Sequence, residues 1–143
     1  MIPVMEILEV VTIGLPFCAF KLICGLFFVH ADLTWLGYPI LLIGMIDTVI
    51  NTANLLSLLF TRKRVLSACL FSARAKKNSK EEDFGNSVDT LFSFTLVAYM
   101  VGMGKLGGLP GIQLPIWNIS VVLNVLGAGI NRLTHSYRNL SKR

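Results

Sequence analysis

Charge is scarce in this chain. Of 143 residues only 15% are Asp, Glu, Lys or Arg, while 54% are hydrophobic. A soluble domain carries about 25% charged residues because its surface has to face water, so a soluble globular domain is disfavoured. The same balance excludes disorder, which needs low hydrophobicity and high net charge. Cysteine is scarce as well, and three residues cannot build a disulfide scaffold. Cys18 and Cys24 are too far apart for a redox CxxC pair. The two histidines, His30 and His135, belong to no Cys/His cluster with zinc spacing and lie outside the apolar runs. Neither a metal site nor haem ligation is therefore expected. No GxSxG, P-loop or acceptable dinucleotide fingerprint occurs. The segment Gly102-Met103-Gly104-Lys105-Leu106-Gly107 matches G-x-G-x-x-G, but no strand pattern precedes it and it closes an apolar run. A non-enzymatic chain without cofactor or metal is the expectation. The class that remains is an integral membrane protein.

The few charges are clustered. Residues 10–61 hold three, Lys21, Asp32 and Asp47, and residues 90–131 hold one, Lys105. Residues 62–89 hold eleven and the last twelve residues hold four. A spanning helix needs about 20 mostly apolar residues to cross a hydrocarbon core of roughly 30 Å. Each charge-poor block is long enough for two crossings. The expected fold is all-α: four transmembrane helices in a compact bundle, with spans about 7–29, 34–60, 87–103 and 115–130. His30-Ala31-Asp32 reads as the first turn, and Thr61-Arg62-Lys63-Arg64 ends the second span. The Gly- and Pro-rich segment 104–111 cannot hold a regular helix well. Pro115 suits a helix start, and Pro16 is expected to kink the first span. Continuous rather than alternating apolar runs disfavour a β-barrel. Glu6 and Glu9 stand where a secretory signal would be basic, so the first span is expected to be retained.

Lys and Arg in short loops set orientation. The loop 61–86 carries seven of them and the tail 131–143 four, with Lys105 alone on the opposite side. The loop and both termini are thus expected in the cytoplasm, which points to a bacterial inner membrane. Arg62, Lys63 and Arg64 and then Arg74, Lys76 and Lys77 flank an apolar stretch. This suits a short interfacial helix on anionic lipid headgroups. The plainer reading is a continuation of the second span, with charges serving topology alone. Residues 78–86 read as a solvated linker. No nucleic-acid motif accompanies the basic charge. Cys69 is placed where juxtamembrane acylation occurs, though a plain thiol is the simpler reading.

The polar residues within the spans fall in stripes. Asp47, Asn51 and Asn54 follow an i, i+4, i+7 spacing beside Gly37 and Gly44. Gly14, Cys18, Lys21 and Gly25 share a face, as do Ser120, Asn124, Gly127 and Asn131, with Trp117 adjacent. Thr95, Tyr99 and Gly102 repeat the pattern more weakly. Hydrophobicity does not drive helices together in lipid, whereas small residues allow close approach and polar ones bond across the contact. Gly14, Gly25, Gly44, Ser120, Asn124 and Gly127 are therefore the expected packing stripe.

Lys21 and Asp47 stand near the middle of their spans, where a charge costs roughly 3 kcal/mol on insertion scales and needs a partner. Counting back from the turn sets Lys21 level with about Gly44, one helical turn from Asp47, so an ion pair is expected. Asn51 and Asn54 extend it. The cluster has two meanings. It is a structural pair that locks the hairpin, or a proton or cation path through Asp47 with Lys21 as counter-charge. Asp89 reads as a helix cap favoured by the dipole. Ile46-Asp47-Thr48-Val49 is echoed by Val88-Asp89-Thr90-Leu91, but at a different apparent depth, which reads as chance. The expected function is an accessory or assembly subunit of a homo-oligomer or larger membrane complex. The alternative is a small ion- or proton-coupled transporter or channel component.

Overall fold

The structure, a computed structural model, describes residues 2–76 and 79–140, and side chains over 4–76 and 79–134. Lys77, Lys142, Arg143 and the side chain of Arg138 lie outside the described residues.

The first rod consists of α1 (Ile2–Glu9) and α2 (Leu15–His30), joined without a break by a π turn over Val10–Gly14. Pro16 has no N–H, and its ring crowds the carbonyl one turn back. The wider π turn just ahead of it relieves that conflict. Three further rods follow: α3 (Thr34–Thr61), α4 (Lys80–Gly102) and α5 (Gln113–Leu140). No strand occurs among the described residues. Three helices are long and apolar enough to cross a membrane: Val4–His30, Thr34–Thr61 and Gln113–Thr134.

Several boundaries differ from the sequence reading. α4 begins at Lys80, well before residue 87, so residues 80–86 are helix rather than a solvated linker. Ser79 caps it by accepting a hydrogen bond from the Glu82 amide, and Glu81, Glu82 and Asp83 complement the positive end of the helix dipole. α5 runs to Leu140, past the expected end of the span at 130, so the basic tail is helical through residue 140. The segment after α3 is neither an interfacial helix nor a continuation of the span. Helix ends at Thr61, Arg62 turns left-handed at φ 56°, and only Leu70–Ser72 form a short 3-10 turn.

The first rod is the hub. α2 packs against α3, α4 and α5, and its buried residues surround it on several sides, including Phe17, Phe20, Lys21, Cys24 and Phe28. The outer rods bury one seam each. On α3 the seam is Gly37, Ile40, Gly44, Asp47, Asn51, Asn54 and Leu58, spaced alternately three and four apart as helix-on-helix packing demands. On α5 it includes Trp117, Ser120, Asn124 and Gly127, with the Trp117 ring 4.8 Å from that of Phe20. On α4 the buried face is Gly85, Asp89, Ser93, Leu96 and Met100. The weaker stripe expected there is divided: Tyr99 packs against Phe28, whereas Gly102 meets open space and Thr95 is exposed, its hydroxyl donating to the Leu91 carbonyl of its own helix.

Backbone meets backbone where α2 and α3 cross. A Cβ on Gly37 would stand 2.7 Å from the Val29 nitrogen and 2.8 Å from the Gly25 carbonyl oxygen. A Cβ on Gly25 would stand 2.9 Å from the Leu41 nitrogen. Backbone cannot yield as a flexible side chain does. Gly37→Val is therefore expected to cost about 1–3 kcal/mol through overpacking, read as a lower unfolding midpoint in detergent. Gly129→Val is the control, because its position is open.

Candidate functional site

Three helices converge on one ammonium. Lys21 of α2 is buried among the hub contacts and donates to Asp47 of α3 at 2.5 Å and to Asp89 of α4. Gly44 makes the approach possible: a Cβ there would lie 3.0 Å from the Lys21 Cβ. The role assigned to Asp89 from sequence is thus corrected. It stands more than two turns inside α4, too deep to cap the helix, and completes a Lys21–Asp47–Asp89 triad. The two aspartates of the echoed tetrapeptides therefore meet at one depth. With one ammonium and two carboxylates, the triad carries one formal negative charge in excess.

Asn51 and Asn54 do something the sequence reading did not foresee. Residues 66–70 fold against the end of the bundle, where their peptide groups need partners. The Leu70 amide donates to Asp47 Oδ1 at 2.6 Å. Asn51 Nδ2 donates to the Ala68 carbonyl at 3.2 Å and to the Asp47 carbonyl at 2.9 Å. Asn54 donates to the Ser67 carbonyl at 2.9 Å and accepts from the Leu66 amide at 2.8 Å. The polar stripe of α3 thus stitches the connecting segment down while one of its members holds Lys21.

The remaining candidates are placed as follows. Gly14 lies against the Asn51 side chain and Gly127 against Thr12, and neither has room for a Cβ. Gly25 faces α3. Ser120 and Asn124 are buried on α5 between the Trp117 and Gly127 contacts with the first rod. Arg62, Lys63, Arg74 and Lys76 are exposed, whereas Arg64 is half-buried. Lys77 lies outside the described residues.

A cavity of about 90 Å³ opens beside the triad. Lys21 and Asp89 form part of its wall, together with Cys18, Cys69 and, from α1 and the connecting segment, Glu9 and Arg64. Asp47 is not on that wall. Exposure agrees: the Asp89 side chain keeps 9% against 1% for Lys21 and Asp47. Burial pushes the Cys69 thiol up, against the opposing influence of its contact with Ser72, so this thiol is protonated and a poor nucleophile. One turn beyond Asp89, the Ser93 hydroxyl is buried and has no hydrogen-bond partner among the described residues. The arrangement sets one ammonium between two carboxylates beside a cavity, groups that can hold protons. No protein-family model, curated protein or solved structure matches the chain.

Proposed function

We propose that this chain is a non-enzymatic integral membrane protein that crosses the bilayer four times and serves as a subunit of a homo-oligomer or larger membrane complex. The observation that carries the reading is the uneven burial of its apolar rods. The most apolar stretch of the first rod is 56% buried, against 28% for α3 and 22% for α5. The outer rods therefore offer long apolar faces to lipid or to neighbouring subunits. Crossing by α4 is supported by its length, about 35 Å at 1.5 Å per residue, over 23 residues. It also runs alongside α2 from the Lys21–Asp89 contact to the ring contact of Phe28 with Tyr99.

With four crossings the termini and the basic connection share one side; the charge asymmetry supports a cytoplasmic placement of that side, and a bacterial inner membrane is the location proposed. Exposed Arg62, Lys63, Arg74 and Lys76 then face anionic headgroups. Native mass spectrometry from lipid nanodiscs tests the assembly. A stoichiometric oligomer or partner is the expected result, and a monomer at all concentrations, with no co-purifying subunit, rejects it. The sequon Asn139-Leu140-Ser141, which reaches outside the described residues, tests topology: glycosylation in a microsomal system would reverse the orientation.

A second reading, a proton-coupled conduction path, is favoured by the cavity that Lys21 and Asp89 help to line and by the Ser93 hydroxyl one turn along from Asp89, which has no hydrogen-bond partner among the described residues. Proton flux in proteoliposomes tests it. Flux that is lost in Ser93→Ala with folding intact supports the path, and absence of wild-type flux under an imposed gradient removes it.

A further inference from the structure

We propose that the cavity beside the triad is a hydrated access route that delivers a proton to Asp89, and that Asp89, not Asp47, is the exchanging carboxylate. This deepens the conduction reading and rests on it for its biological use. The protonation itself stands on the cavity.

The two carboxylates are not equivalent. Asp47 has one oxygen on Lys21 and the other under the Leu70 amide, and it is walled off from the cavity. Asp89 meets Lys21 through one oxygen and lines the cavity. A cavity holds a water once about 10–15 Å³ is open to it, so about 90 Å³ accommodates several. The surplus negative charge of the triad is the costly element in a low-dielectric interior. One proton removes it: hydronium in the cavity gives up an O–H bond, an O–H bond forms on Asp89, and water remains.

The groups facing Asp89 are Lys21 and Cys18 from α2, Asp47 from α3 across Lys21, Glu9 from α1, Arg64 and Cys69 from the connecting segment, and Asn86 and Thr90 on its own helix. A hard metal cation would need a shell of six or more oxygens. One oxygen of Asp89 is already taken by the Lys21 ammonium, and Arg64 adds a second cation to the same wall, so the site repels a metal cation and the ligand is the proton.

Infrared difference spectroscopy of the full chain in lipid nanodiscs, titrated with acid, reads the protonated-carboxyl C=O stretch. A titrating band that is lost in Asp89→Asn is expected; in Asp47→Asn, where no surplus charge remains, the band should persist but move to lower pH. A band that survives Asp89→Asn, or no buried-carboxyl band in the wild type, overturns the assignment. Hydration is read without touching the triad. Cys18, retained alone in Cys24→Ser/Cys69→Ser, lines the cavity, whereas Cys24, retained alone in Cys18→Ser/Cys69→Ser, does not. Cys18 is expected to react several-fold faster than Cys24 with a small water-soluble methanethiosulfonate, and equal rates overturn the access route. Flux is measured separately. A titrating Asp89 with no flux rejects conduction alone, and flux with no titrating Asp89 rejects this assignment alone.

Discussion

Lys21→Met is expected to destabilise the folded protein by about 3–5 kcal/mol, the usual cost of removing one partner from a buried ion pair. The cost comes from what stays behind. Asp47 and Asp89 would face each other across an apolar side chain, with the Leu70 amide still on Asp47 but no ammonium between them. Removing both surplus charges as well, in Lys21→Met/Asp47→Asn/Asp89→Asn, is expected to recover most of the loss, since neutral replacement of a whole buried cluster is often tolerated. Asn at position 47 keeps an oxygen for Leu70. Reversible unfolding in mixed micelles, followed by circular dichroism, measures both variants. A Lys21→Met protein within about 1 kcal/mol of wild type, the value of a surface ion pair, would remove the triad from the interactions that hold the bundle.

Asn54→Leu is expected to cost about 2–4 kcal/mol, because two partly buried backbone groups lose their partners and each unsatisfied group costs about 1–3 kcal/mol. Asn54 is fully buried and bonds both the Ser67 carbonyl and the Leu66 amide. Leucine fills the space but bonds neither. The effect should be local before it is global. Trypsin cleavage at Arg62, Lys63, Arg64 and Arg74 should accelerate, and amide exchange at Leu66 should rise, while the α2–α3 crossing at Gly25 and Gly37 stays protected. Thr52→Ala, at an exposed position of the same helix, is the control. Unchanged proteolysis in Asn54→Leu would show that the connecting segment is held by other contacts.

What the sequence made legible is what is local. The Lys21–Asp47 contact could be anticipated because the two residues sit on a hairpin with a short turn, where counting residues sets the level. Asp89 lies 68 residues from Lys21, and no such counting applies. Its depth was also hidden by the start of α4. The acidic run Glu81-Glu82-Asp83 resembles a solvated linker, yet it is the first helical turn, drawn there by Ser79 and the helix dipole. The spacing of Ser79 and Glu82 matches a capping box, and that signal, with the Asp-Thr echo, was the available pointer. Residues 66–70 gave no pointer. Their contacts run from Asn51 and Asn54 to peptide groups, which any sequence possesses. The cavity needs α1, α2, α4 and the connecting segment together and has no one-dimensional signature.

The hub arrangement orders how the polypeptide can be threaded into lipid. The ammonium leaves the ribosome 26 residues ahead of its first carboxylate and 68 ahead of its second. An early intermediate therefore carries a lone cation, the next a neutral couple, and only the third acquires the surplus anion. The insertion machinery has to shelter the leading segment until the second arrives, and the last carboxylate then enters a site already at charge balance. A nascent chain stalled before α4 should therefore sit in the bilayer as a self-contained hairpin.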